Sequence, residues 1–442
     1  MEKYYHSVRL DKEKCQGCIH CIQRCPTQAI RVRNGKAIIL AARCIDCGEC
    51  IRVCPHKAKY AERDSIEIIQ KFKYKVALPA PSLYGQIANV TDVNLLLNAL
   101  LAIGFDDVFE VAAAAERISD ATKKFLREHP EFSRPVISSA CPAIVRLISV
   151  LYPNLIDRIL PLRSPMEEAG RLAREKAVRE TGFAPEEIGV FFITPCPAKI
   201  TAIRHSQESE KSSIDGAVAI NDIYPALVNQ LGKLREQSEL QHAGRIGISW
   251  GMTGGEASGT LSDASMPVDG IENCINVLSE IEDEKLNDIE FVELNACMGG
   301  CVGGVLTAEN PYIAKSRLKN LRKYLPMALN NIADSPLAAV TAEKRPEEIP
   351  ALKLADNLKE AMEKMNRLNE ILSTFPRLDC GTCGAPSCRA LAEDIVRGYT
   401  SEQDCIFRIR AELEGAALPK SVEELIPPPF RQKKNTDGGD KK

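Results

Sequence analysis

Two cysteine runs near the start limit this chain more than any other feature. They read Cys15-x2-Cys18-x2-Cys21-x3-Cys25-Pro26 and Cys44-x2-Cys47-x2-Cys50-x3-Cys54-Pro55, and together they form an internal repeat. Three thiolates on one tight loop can hold three irons of a cubane. The fourth iron is then held from the other copy. The crossing predicts one 4Fe–4S cluster on Cys15, Cys18, Cys21 and Cys54, and a second on Cys44, Cys47, Cys50 and Cys25. A pair of zinc knuckles is the alternative. Zinc closes with four ligands, however, and has no use for a crossed fourth cysteine followed by proline. A module of this kind moves single electrons and does little else.

The chain holds 17 cysteines in 442 residues, too many to be incidental. A secreted disulfide framework would need a signal peptide, and the opening MEKYYHSVRLDKEK has no apolar h-region. The longest apolar stretch, near Leu95–Phe105, is broken by Asn98 and too short to span a bilayer. The expectation is a cytoplasmic chain with no membrane insertion, whose thiols are reduced and bind metal. The net charge of −3 and the single Trp give no basic or base-stacking surface, so nucleic acid is not expected as a partner.

The pattern divides the chain into a ferredoxin-like domain (1–62), a larger α/β domain (63–335), a Pro-containing linker (336–353), a small C-terminal domain (354–426) and a disordered tail (427–442). Within the larger domain, strands are expected at Lys75–Leu78, Asp107–Val111, Pro135–Ser138, Gly189–Ile193, Ala217–Ile220, Gly244–Ser249 and Asp288–Leu294. Helical patterns separate them, among them Asp92–Ile103. Alternation of this kind implies parallel sheet and the α/β class.

In such sheets, ligands gather beyond the carboxyl ends of strands. Cys141 follows one expected strand in SSACPAIV, and Cys196 follows another in TPCPAK. Cys297 and Cys301 follow a third in ELNACMGGCVGGVL, where glycine lets backbone wrap closely around a bulky inorganic body. The four thiolates are expected to converge on one cluster. Gly251-Met-Thr-Gly-Gly255 lacks a phosphate-binding lysine and is read as close packing near the same site. Cys274 has no partner spacing and reads as a plain buried thiol.

After an amphipathic helix expected at Asp356–Leu372, Cys380-x2-Cys383-x4-Cys388-x16-Cys405 suggests a further 4Fe–4S site. Zinc stays open as the alternative, because CxxC alone does not choose the metal. That makes four clusters: two N-terminal, one central and one C-terminal.

The ferredoxin repeats with SSACPAIV, TPCPAK and ELNACMGGCVGG resemble the iron-only (FeFe) hydrogenases over residues 1 to about 335. The resemblance implies a cubane held by Cys141, Cys196, Cys297 and Cys301. Cys301 would bridge to a two-iron subcluster carrying CO, cyanide and a dithiolate. Ala80-Pro81-Ser82 resembles the family's segment beside one cyanide, and Lys199 resembles its lysine facing the other. H2 and protons would be substrates, with ferredoxin or a similar redox carrier as partner. The segment Cys380–Cys405 is similar to the iron–sulfur domain of corrinoid protein subunits.

This chain also departs from that pattern. The family's proton-relay cysteine is Ala140 here, and a methyl group cannot transfer a proton. A glutamate usual three residues after the lysine is Ala202. Methionines usual near the site are replaced by Thr194 and Asn295. Cluster binding is retained while the proton path is impaired, as in the sensory, low-turnover branch, which implies a signalling or redox-complex protein partner. The alternative is a non-catalytic electron-transfer or cluster-delivery protein without the two-iron unit. Lys199 and Pro81-Ser82 favour the hydrogenase-like reading, because a bare cubane needs neither.

Overall fold

The structure, a computed structural model, describes residues 4–234, 238–329 and 336–414. The tail expected at 427–442 and the end of the C-terminal domain from 415 lie outside the described residues. The chain divides into two compact units, Met1–Leu352 and Lys353–Lys442.

The first unit opens with short strands β1 (Val8–Leu10), β2 (Ile30–Arg33), β3 (Lys36–Ile39) and β4 (Lys59–Ala61). Two antiparallel pairs, β1–β4 and β2–β3, frame the two cysteine loops. Seven further strands follow: β5 (Tyr74–Pro79), β6 (Asp107–Val108), β7 (Val136–Ile137), β8 (Ile188–Thr194), β9 (Gly216–Ala219), β10 (Ser265–Asp269) and β11 (Phe291–Asn295). They form two all-parallel sheets, ordered β6-β5-β8-β9 and β10-β11-β7. Every residue of β8 is buried, as a strand covered on both faces by crossover helices requires. The architecture is α/β with parallel sheets, as the alternating pattern implies.

Local chemistry sets the helix starts. Asp92 caps Val93–Ala102 by accepting the Asn94 N–H at 2.9 Å. Proline stands in the first turn of Pro142–Leu151, Pro165–Thr181 and Pro197–Arg204, where its missing N–H costs no helical bond.

Three differences from the pattern reading have physical causes. Gly244–Ser249 is not a strand: Arg245–Ser249 is a helical turn. Buried Glu116 accepts the N–H groups of Gly244 at 2.6 Å and Gly247 at 3.3 Å, so these donors are satisfied without a sheet neighbour. β10 contains Pro267, which the pattern reading passes over. It pairs only with β11, and an edge tolerates the lost donor. The expected linker, 336–353, belongs to the first unit as far as Leu352, with Val340 and Ile349 buried.

In the second unit, Leu358–Ser373 packs on Cys388–Val396 around Leu368, Ile371, Phe375 and Leu391.

Candidate metal centre

The segments that leave the carboxyl ends of β5, β7, β8 and β11 carry the residues singled out from the sequence. Cys141 and Cys196 occupy the N-cap positions of Pro142–Leu151 and Pro197–Arg204. At such a position backbone N–H groups and the helix dipole favour a thiolate. Cys297 lies just beyond β11, and Cys301 opens the turn Cys301–Gly303.

The four thiols stand close enough to feel one another's charge. Burial pushes Cys196 up to about 12, partly offset by Lys199, with Cys301 and Cys141 adding to the rise. Burial likewise pushes Cys301 up to about 11 against the pull of Lys199, and holds Cys297 well above the ordinary thiol range. Buried sulfurs that repel one another's ionised forms suit a positively charged metal core, because metal binding removes their protons and supplies the missing countercharge.

Lys199 is buried among them. Burial opposes its charge, but Cys301, Cys196, Cys141 and Glu208 outweigh it and hold the ammonium above its usual value. Its Nζ donates to the Ala140 carbonyl at 3.2 Å. Pro81 and Ser82 lie in the turn Pro81–Gly85, both buried. The Ser82 Oγ is fully enclosed with no hydrogen-bond partner among the described residues. An orphaned buried hydroxyl is costly unless something else occupies its hydrogen bond. It fits a cluster whose outer ligands accept hydrogen bonds.

The Gly251–Gly255 turn clamps these segments together. A Cβ at Gly251 would sit 2.9 Å from both Pro81 C and Ser82 N. The Gly251 carbonyl accepts from Val302 N at 2.9 Å, and Thr253 N donates to the Gly299 carbonyl at 3.0 Å. Cys274 is fully buried, its Sγ donating to the Asn295 carbonyl at 3.3 Å.

The remaining cysteines fall into three sets. One cavity is lined by Cys15, Cys18, Cys21 and Cys54. Another is lined by Cys25, Cys44, Cys47 and Cys50. In the second unit a third is lined by Cys380, Cys383, Cys388 and Cys405. Each N-terminal cavity thus draws one cysteine from the opposite run. The Cys44–Cys54 loop presses on the central site: a Cβ at Gly48 would meet the Val305 side chain at 2.6 Å, and Arg52 Nη2 donates to the Gly303 carbonyl at 2.7 Å.

Sequence reasoning missed a pair of buried carboxyls beside the site. Glu256 accepts from Ser138 Oγ at 2.7 Å, and Ser138 Oγ accepts from Ala140 N at 3.1 Å. Glu293 accepts from Gly254 N, Ala257 N and Asn295 Nδ2. Burial, then the charge of Glu293, raises Glu256 to about 8. A carboxyl raised in the folded state contributes stability that is complete below its unfolded value of 4.5 and lost as pH climbs towards 8. Glu256→Gln should therefore flatten the fall in thermal midpoint between about pH 5 and pH 8, since each pKa unit is worth about 1.4 kcal/mol. Melts of the two proteins across that range with equal slopes would remove Glu256 as the cause.

A family model described as iron only hydrogenase large subunit, C-terminal domain, matches residues 73–262 and 255–305. A 4Fe-4S dicluster domain model matches 7–55, and an Fe-S cluster model matches 375–407. Iron hydrogenase 1 of Clostridium pasteurianum is 24% identical over 369 residues, covering 67% of this chain and 64% of its own length. The cytosolic Fe-S cluster assembly factor oxy-4 of Caenorhabditis elegans is 21% identical over 358 residues, covering 67% of this chain and 78% of its own. A solved variant of [FeFe]-hydrogenase HydA1 from Chlamydomonas reinhardtii superposes with TM-score 0.48 at 16% identity, covering 63% of this chain and 95% of that one. The chain spans 64% of the length of the first two curated relatives it matches, both of them hydrogenases. No helix among the described residues is long and apolar enough to cross a membrane.

Proposed function

The chain belongs to the iron-only hydrogenase large-subunit family, and on that premise we propose that it interconverts H2 with protons and electrons at low turnover, reporting hydrogen or redox status to a protein partner. Cys141, Cys196, Cys297 and Cys301 would hold a central cubane, with Cys301 also bridging to a two-iron unit. The three other cysteine sets would hold 4Fe–4S clusters. When bound, the central group supplies the chemistry of combining two protons with two electrons.

The chain's own residues do the rest. Lys199 provides a fixed cation, suited to an electron-rich ligand on low-valent iron. Ser82 offers an unused hydroxyl from the opposite segment. The Gly251–Gly255 turn closes the site with backbone. Arg52 and Gly48 hold the Cys25–Cys44–Cys47–Cys50 set against the central loop, which makes it the nearer of the two N-terminal stations for an electron.

The orphaned Ser82 Oγ carries this reading, because the outer ligands of a two-iron unit would supply the acceptor that this enclosed hydroxyl lacks. A second reading is a non-catalytic iron–sulfur protein of cluster delivery. Ala140 and the likeness to an assembly factor favour it. An infrared spectrum of protein purified without oxygen, after exposure to a two-iron precursor, separates the two. Metal carbonyl and cyanide bands are expected, with a cyanide band moving in Ser82→Ala. A spectrum without such bands would leave the second reading standing.

A further inference from the structure

Lys59 breaks the symmetry of the N-terminal repeat. Five residues after Cys25 the first copy places Ile30, a core side chain. Five residues after Cys54 the second copy places Lys59. The backbone is otherwise alike: Ala29 N donates to Cys25 Sγ and Ala58 N to Cys54 Sγ, each at 3.2 Å. Lys59 is nevertheless only 3% exposed, and its Nζ has no hydrogen-bond partner among the described residues.

A buried, unpartnered ammonium is costly unless charge of the opposite sign lies nearby. Lys59 lines the cavity of Cys15, Cys18, Cys21 and Cys54. Its charge also acts on Cys25 and Cys50 of the other set, besides Cys21 of its own. The preceding residue, Ala58, shares one cluster of buried side chains with Cys15 and Cys21 of the first set and Cys50 of the second, so Lys59 lines the first cavity and stands beside the second. Two other lysines near the first set are engaged elsewhere: Lys36 gives its Nζ to the Cys15 carbonyl at 2.7 Å, and Lys14 pairs with Asp11 at 3.0 Å.

We propose that Lys59 is a shared electrostatic clamp that raises the reduction potentials of both N-terminal clusters together. Each cluster takes up one electron and with it one negative charge, which a fixed cation stabilises, and net charge is one of the determinants of cluster potential. Resting on the proposed function, the clamp makes the module a two-electron acceptor. One H2 yields two protons and two electrons. The protons pass to solvent, and the two clusters take one electron each. Lys59 thus biases the protein towards hydrogen uptake and sensing rather than evolution.

The test is a dithionite titration of the full chain, purified without oxygen and followed by electron paramagnetic resonance. The spin-coupled signal of two adjacent reduced clusters reports the pair. It does not depend on a two-iron unit, so it stands apart from the infrared test above. Lys59→Met removes the charge and keeps the length, and Ile30 shows that an apolar side chain fits the equivalent place. Both midpoints should fall, each by about a tenfold loss in the one-electron equilibrium constant, which is 59 mV. Lys59→Arg should hold both near the parent values. Should Lys59→Met fail to load iron, Lys59→Gln is titrated in its place with the same expectation. Unmoved midpoints, or movement of one cluster alone, overturns the shared clamp.

Discussion

Replacing Ala140 with cysteine is expected to raise hydrogen turnover by about 10²- to 10⁴-fold, the range in which a positioned acid–base group acts. The expectation rests on how firmly this position is held. The Ala140 N–H is bonded to Ser138 Oγ and its carbonyl to Lys199 Nζ, so a new side chain inherits a backbone fixed on both sides. A thiol there would stand one residue from Cys141, a proposed ligand of the central cubane. A cavity begins at the neighbouring residue, Ser139. Ser139 and Ala202 line a largely apolar cavity of about 210 Å³ into which Arg146, Thr201, His205 and Glu208 bring polar groups, and it is roomy enough for water held by those groups. The rate is measured amperometrically on parent and Ala140→Cys proteins matured with the same two-iron precursor. Equal rates would mean that Ala140 does not limit turnover, and Ala202 would be the next position to test.

This neighbourhood was only half legible in the sequence. Cys141, Cys196, Cys297 and Cys301 stand out because each lies in the segment that leaves a strand, and parallel strands deliver such positions to one end of a sheet. The crossed N-terminal sets stand out because a cubane dictates local spacing. What pattern cannot show is a bond between distant positions. Ser138 and Glu256 meet across 118 residues, and nothing local in GGEASG marks that glutamate as buried. The same blindness hid Glu116, whose carboxylate turns Gly244–Ser249 from an expected strand into a helix. Lys59 looks like an ordinary strand lysine until its enclosure is seen. The segment 336–352 has the prolines and charges of a connector, yet its Val340 and Ile349 find places in the core.

Removing iron should unfold the N-terminal module while the parallel sheets persist. The module's core is Val8, Ile22, Ile30, Ala37 and Ala58, and the rest of it is sulfur: Cys15, Cys21 and Cys50 belong to the same cluster of buried side chains. Its strands are three or four residues long, and a domain this small rarely stands without a metal staple. Structural zinc contributes about 10–16 kcal/mol to the folding of small fingers, and clusters joined by four thiolates obey the same linkage. Protein stripped with chelator under reductant should therefore lose amide protection in β2 and β3, whereas β8, buried throughout, keeps it. The consequence reaches the central site. Thr201 Oγ1 donates to Asp46 at 2.7 Å, and Ser7 Oγ donates to the Pro197 carbonyl at 2.8 Å. Both bonds anchor the helix that begins at Cys196 and carries Lys199. Hydrogen exchange followed by mass spectrometry should show that helix loosening with the module. Slow exchange of β2 and β3 in iron-free protein would mean that the polypeptide, not the clusters, holds the module together.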